Sequence, residues 1–268
     1  MKKVIEHNKL PLSYHVYGNG VPVILIHGFA ETHSIWKKQT EYLSNHCKLI
    51  IPDLPGSGES LLPKTLEKKL TIEELAESIF SIIKNENIEK CIMLGHSMGG
   101  YITLAFAEKY PEKLKAFGFV QSTAYADSEE KKQIRIKAIN LMETHGSYVF
   151  LKTSTPGLFA DEFKVTHKDV VDELIESGKS FKTKNLQQYY YAMMQRPQRT
   201  SVLKNNKLPV LFVIGEEDIA APLQDVLKQV YLSDIAYIYI LEKTGHMSML
   251  EAPEKLNRIL ENFVNEME

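Results

Sequence analysis

The chain has 268 residues, 44% of them hydrophobic and 25% charged, which fits one α/β domain with a substantial core and excludes global disorder. With 32 basic and 34 acidic residues the formal net charge is −2, so no overall field draws the chain to nucleic acid or to an anionic membrane. No stretch approaches the roughly 18 apolar residues of a membrane span.

Val4 to Glu6 and Leu12 to Tyr17 read as two strands joined around Asn8-Lys9, followed by the turn Gly18-Asn19-Gly20. Val21 to His27 is a strand whose continuous run Val23-Ile24-Leu25-Ile26 suits burial on both faces of a sheet. A helix is predicted over Ser34 to Leu43 and a buried strand over Lys48 to Ile51. Lys64 to Lys69 reads as a solvated loop. Thr71 to Lys84 is a capped helix, with Glu74 as the capping-box partner of Thr71 and a stripe of Leu75, Ile79, Ile82 and Ile83. Cys91 to Leu94 is a strand, Met98 to Lys109 a helix stopped by Pro111, and Ala116 to Val120 a strand. This alternation predicts a parallel sheet wrapped by helices, with the antiparallel opening hairpin at one edge.

The rhythm breaks from about Tyr125 to Leu203, where three amphipathic stripes occur without a buried strand: Ile134, Ala138, Leu141 and Met142; Val170, Val171, Leu174 and Ile175; and Gln187 to Met194. Pro156-Gly157 breaks this block. It resumes with strands at Pro209 to Ile214 and Ile235 to Leu241 and helices at Pro222 to Tyr231 and Pro253 to Val264. The expected organisation is a core over residues 1–124 and 204–268, with a helical lid over 125–203. Such a lid would cover the C-terminal edge of the sheet, where open α/β folds place ligands. Within it, Phe159, Tyr190 and Met194 read more simply as core than as pocket.

Cys47 and Cys91 read as reduced core residues. Met1-Lys2-Lys3 is followed by Glu6, His7, Asn8 and Lys9, which interrupt any apolar leader. A cytoplasmic monomer or homodimer is the expectation.

Gly95-His96-Ser97-Met98-Gly99-Gly100 carries the strongest chemical signal, because it follows a buried strand and opens a helix. A sharp turn there lifts the Ser97 hydroxyl above the sheet and aims helix N-terminal amides at a ligand. Side chains two positions to either side would clash, which accounts for the glycines. A serine nucleophile needs a base. Of nine histidines, His246 follows the strand ending at Leu241 and can reach the same edge. His27 and His33 flank a loop, while His7, His15, His46, His145 and His167 read as solvated or structural. His96 is expected to pack beside the turn.

Asp218, after the strand ending at Ile214, is the candidate to orient the base, with Glu216 and Glu217 as competitors. Two amides are needed for an oxyanion. The N–H of Met98 is one, and that of Phe29, beside Gly28 in the loop after Ile26, is the other.

Together the Ser97 turn, His27-Gly28-Phe29, the segment Asp53 to Ser60, Asp218 and His246 resemble the α/β-hydrolase superfamily, most of all its capped carboxylesterase-type branch. The resemblance implies an α/β-hydrolase fold: a mostly parallel central sheet, helices on both faces and an inserted helical lid. It implies a Ser97, Asp218 and His246 triad acting on a small-molecule acyl substrate, with no cofactor or metal and no nucleic-acid or membrane partner. Asp53 to Ser60 would be a structural turn near the site. Its Gly56-Ser57-Gly58 lacks the Lys-Ser/Thr of a phosphate loop. Branches of this superfamily with an aspartate nucleophile are disfavoured by Ser97. A carbon–carbon hydrolase, a perhydrolase, an acyltransferase and a ligand-sensing module that keeps the triad stay open.

Overall fold

A computed structural model describes residues 1–63 and 68–267. Residues 64–67, most of the run read as a solvated loop, lie outside the described residues. The chain opens with β1 (Lys2–His7) and β2 (Leu10–Tyr17), joined by Asn8 and Lys9, both at positive φ, the geometry that matches a tight hairpin to the strand twist. Next come β3 (Pro22–Ile26), a turn of 3-10 helix (His33–Trp36) running into α1 (Lys37–Leu43), β4 (Lys48–Pro52), α2 (Ile72–Asn85), β5 (Cys91–His96), α3 (Met98–Lys109) and β6 (Leu114–Val120). The capping box of α2 forms in both directions. Thr71 Oγ1 accepts from the Glu74 N–H at 3.1 Å, and Glu74 Oε2 accepts from the Thr71 N–H at 3.0 Å.

Between β6 and the next strand lies the helical block: α4 (Glu129–His145), α5 (Ser147–Ser154), α6 (Asp161–Thr166), α7 (Lys168–Ser177), α8 (Thr183–Gln195) and α9 (Thr200–Asn205). Pro156 and Gly157 sit in a 3-10 turn, Thr155–Leu158, that ends α5. The core then closes with β7 (Val210–Gly215), α10 (Leu223–Val230), β8 (Ala236–Leu241), α11 (Ser248–Glu251) and α12 (Pro253–Glu266). No helix among the described residues is long and apolar enough to cross a membrane.

The eight strands form one sheet in the order β1-β2-β4-β3-β5-β6-β7-β8, with β1 and β2 antiparallel at one edge and the rest parallel. Side chains alternate between faces, so Ile24 and Ile26 of β3 pack with α2, α3 and α10, while Val23 and Leu25 pack with α1 and α12. Fully burying each such side chain stabilises the fold by about 1.5–3 kcal/mol. Both cysteines lie buried in this core. Because the central strands are parallel, the loops after β3, β5, β7 and β8 all emerge at one edge.

The apolar stripe of α4 differs from the sequence expectation. Ala138, Ile139 and Met142 face inward, whereas Ile134 and Leu141 are exposed. The inward set extends by one helical turn to Arg135, not to Ile134 (i, i+3, i+4, i+7). A guanidinium therefore holds a position that a purely apolar reading gives to its neighbour.

Candidate active site

Ser97 stands at the junction of β5 and α3 with φ 49° and ψ −114°. This conformation is strained for a residue with a Cβ and costs on the order of 1–3 kcal/mol. The surroundings enforce it. The Ser97 N–H donates to the Val120 carbonyl at 3.1 Å, and its own carbonyl accepts from Gly100 N–H at 2.9 Å and from Ser122 Oγ at 2.7 Å. A Cβ at Gly95 would come 2.2 Å from the Gly99 backbone, and one at Gly99 would come 2.3 Å from the Ile26 carbonyl oxygen. Strand, turn and helix approach too closely for any side chain at either position.

His246 follows β8 and is buried, with Nδ1 2.8 Å from Asp218 Oδ2. That contact leaves Nε2 for the cavity. Asp218 follows β7, and its Oδ1 accepts from the N–H groups of Ala220 and Ala221 at 2.8 and 2.9 Å. Burial alone would raise the Asp218 carboxyl. The neighbouring His246 ring and the two amides outweigh it and hold the group below the usual carboxylate value. The competing carboxylates are exposed and engaged elsewhere, Glu216 with the Lys243 N–H and Glu217 with the Asp161 N–H.

Ser97 and His246 line one cavity of about 210 Å³, together with Phe29, Ala30, Leu158 and Tyr190. No hydrogen bond joins the Ser97 hydroxyl to His246 among the described residues. Phe29 lines the cavity with Ser97, Met98 follows Ser97 in the chain, and neither backbone N–H has a protein acceptor among the described residues. For Met98 this follows from its place in the first turn of α3, where the helix supplies no partner.

Sequence reasoning missed three groups. Glu31 is buried at the floor of the cavity, where Oε2 accepts from the Gly28 N–H at 2.6 Å and lies 3.0 Å from His96 Nδ1. His96 Nε2 in turn donates to the His246 carbonyl at 2.9 Å. Both ring nitrogens thus face acceptors, a geometry that favours the charged ring. Burial disfavours its charge, but Glu31 and that carbonyl win and raise its pKa. Glu31 is likewise held below the usual carboxylate value despite burial, by His96 and the Gly28 amide.

The second missed group is Glu251, which accepts from the N–H groups of Gly245 and Met247 on either side of His246, and from Ala160. The third is Arg135, on the cavity wall. Glu31 and Arg135 carry no local motif because they meet His96 and Tyr190 across the fold, whereas Glu251 acts on the two amides beside His246 from within its own segment, four and six positions away.

Of the helical-block residues weighed from sequence, Tyr190 lines the cavity, whereas Phe159 and Met194 do not. Burial pushes the Tyr190 phenol up to about 12, so it stays neutral and serves as wall, not base. His27 is neutral and structural: Nδ1 donates to the Gly28 carbonyl and Nε2 accepts from the Leu54 N–H. Within the Asp53 to Ser60 turn, Ser57 Oγ lies 2.7 Å from the Tyr189 hydroxyl of α8. That contact ties the turn to the helical block.

His15, His33 and Asp53 bring ligand-type atoms within 4.8 Å of one another. The two imidazoles are stacked, however, with centroids 3.6 Å apart and planes at 15°. Nitrogen lone pairs lie in the ring planes, so near-parallel rings cannot aim at one ion. His33 Nδ1 instead bonds Asp53 Oδ1 at 2.9 Å.

The chain as a whole has wide parallels. A dihydrolipoyllysine-residue acetyltransferase component of an acetoin cleaving system from Pseudomonas putida is 28% identical over 91% of this chain, which spans 64% of that protein's length. A pimeloyl-[acyl-carrier protein] methyl ester esterase from Wigglesworthia glossinidia brevipalpis is 25% identical over 95% of this chain and 98% of its own. The solved structure of a thermophilic esterase from Thermogutta terrifontis superposes with a TM-score of 0.92 at 24% identity, covering 100% of this chain and 99% of that one. The model of the alpha/beta hydrolase fold family matches residues 21–253, and the chain belongs to that family.

Proposed function

We propose that this protein is a serine hydrolase that cleaves a small-molecule ester through an acyl-enzyme, under a lid formed by residues 125–203. The observation that carries the reading is the buried Asp218–His246 hydrogen bond facing the same cavity as the strained Ser97. Ser97 Oγ attacks the ester carbonyl carbon while His246 Nε2 takes its proton. The N–H groups of Phe29 and Met98 hold the resulting oxyanion. Asp218 fixes the ring and stabilises the imidazolium. Collapse breaks the bond to the alcohol oxygen, which leaves with the proton from His246. Water then enters by the same route in reverse roles, releasing the acid and restoring Ser97.

Support also comes from the methyl ester esterase, which matches this chain over nearly its whole length. The test is turnover of p-nitrophenyl esters of increasing acyl length, with Ser97→Ala beside the wild type. Steady release abolished by Ser97→Ala is expected. A single stoichiometric burst without further release would favour a sensing module. A folded wild type inert to all these esters would sink the ester reading and move attention to carbon–carbon cleavage or acyl transfer.

A further inference from the structure

The inward face of α4 supplies the cavity wall with one guanidinium, and its charge is not cancelled locally. Arg135 Nε donates to Asp127 Oδ2 at 2.6 Å and Nη2 reaches Oδ1 at 3.3 Å. Asp127 is not Arg135's alone: Arg196 Nη1 lies 2.9 Å from Oδ1 of the same carboxylate. Two guanidinium groups on one carboxylate leave the buried cluster with a net positive charge.

The two arginines are placed differently. The terminal nitrogens of Arg196 are spent on Asp127 and on the carbonyls of Met193 and Tyr125, and its face lies 3.8 Å from the Tyr101 ring centroid. Its side chain is 4% exposed. Arg135 is 18% exposed and lines the Ser97 cavity, and beyond Asp127 its side-chain partner is the neutral Tyr190 hydroxyl. Tyr190 lies under its guanidinium at 5.0 Å, which orients the plane.

The nearby carboxylates are each engaged by other groups. Glu31 is answered by His96, and Asp218 by its bonds to His246, Ala220 and Ala221. Most of the remaining wall is neutral, with Phe29, Leu151, Leu158, Leu174 and Met193 contributing apolar surface. A partly buried guanidinium that shares its only carboxylate with a second arginine attracts a planar anion more strongly than an exposed one, because screening is weaker there.

We propose that the substrate bears a carboxylate in addition to the scissile acyl group, and that Arg135 binds it. This rests on the hydrolase reading above and narrows its substrate class from neutral to acidic acyl compounds.

The experiment compares p-nitrophenyl pentanoate with the mono-p-nitrophenyl ester of glutaric acid. The two have the same chain length and differ in a terminal carboxylate. The ratio of kcat/KM, acidic over neutral, is corrected for enzyme-free hydrolysis and measured for wild type, Arg135→Met and Arg135→Lys. Wild type is expected to favour the acidic ester, and Arg135→Met to lower the ratio by roughly 10- to 100-fold, the range for a charged hydrogen-bonded contact. Arg135→Lys should fall between. Asp127 keeps Arg196 in every variant, so folding is expected and is checked by near-UV circular dichroism.

A ratio that favours the neutral ester in wild type, or that Arg135→Met leaves unchanged, overturns the proposal. If neither ester is cleaved, the hydrolase reading fails and calorimetry with glutarate decides the anion site by itself. Binding to wild type weakened at least tenfold in Arg135→Met sustains the site. No binding, or equal binding, removes it.

Discussion

Glu31 and His96 form a buried pair at the floor of the Ser97 cavity, 3.0 Å apart, and His96 passes the connection on to the carbonyl of His246. One imidazole ring thereby links the loop after β3, the turn after β5 and the loop after β8. A buried pair of this kind is costly to break from one side, about 3–5 kcal/mol, because the surviving charge is left without its counterpart.

Glu31→Gln should therefore destabilise the protein, with a characteristic pH dependence. His96 is raised in the folded state, so its contribution is complete below the ordinary histidine value of about 6.5 and is lost as pH rises through the raised value. Glu31 is lowered, so its contribution is complete above about 4.3 and is lost as pH falls through the lowered value. The stability gap between wild type and Glu31→Gln should be widest between about pH 4.3 and 6.5 and should narrow on both sides. Urea unfolding across pH reads this directly, and a gap independent of pH would show that the pair is not ionised.

Asp218→Asn keeps an oxygen for the Ala220 and Ala221 amides but no longer favours a proton on His246 Nδ1. On the proposed hydrolase mechanism, kcat should drop by roughly 10³–10⁴ with the melting temperature little altered. A loss below tenfold would mean that another carboxylate orients the base.

Alanine in place of glycine near a helix start normally favours the helix by up to about 1 kcal/mol. At position 99 the sign should invert, because the new methyl would sit 2.3 Å from the Ile26 carbonyl oxygen. Gly99→Ala should cost about 2 kcal/mol or more through forced backbone movement. Chemical denaturation gives the value, and an unchanged midpoint would show that strand and helix can separate at no cost.

Tyr189 on α8 is fully buried, and its hydroxyl contacts Ser57 Oγ at 2.7 Å and donates to the Pro55 carbonyl at 2.9 Å. Tyr189→Phe leaves both of those oxygens short of a partner and should lower stability by about 1–3 kcal/mol. A thermal melt within one degree of wild type would mean that water replaces the hydroxyl.

Much of the frame is legible in the sequence. The four-residue apolar run Val23 to Ile26 suits a strand covered on both sides, and Gly95 to Gly100 points to a strand–turn–helix because its glycines allow a sharp turn where side chains would clash. Asp218 and His246 stand out because each follows a predicted strand that emerges at the same edge. What stayed hidden depends on distant neighbours. Glu31 looks like an ordinary loop carboxylate until His96, 65 positions away, is packed against it. Arg135 looks like part of a polar helix surface, because the apolar residues Ile134, Ala138, Leu141 and Met142 define a stripe that leaves it outside. Only packing shows that Ala138, Ile139 and Met142 take Arg135 inward and leave Ile134 in water. Met194 was weighed for the cavity, yet its neighbour Met193 lines it, and one helical position is enough to move a side chain to another face.

The main chain of His246 is gripped from two directions. Its carbonyl is held by His96 in the core, and its N–H donates at 2.7 Å to the carbonyl of Leu158, in the 3-10 turn that begins the middle of the helical block. Leu158 also forms part of the cavity wall. Moving that turn would remove one bond from this peptide, while His96 and, through Gly245 and Met247, Glu251 would still hold it. A change in the shape of the wall at Leu158 is therefore felt at His246 as a pull on one of several moorings.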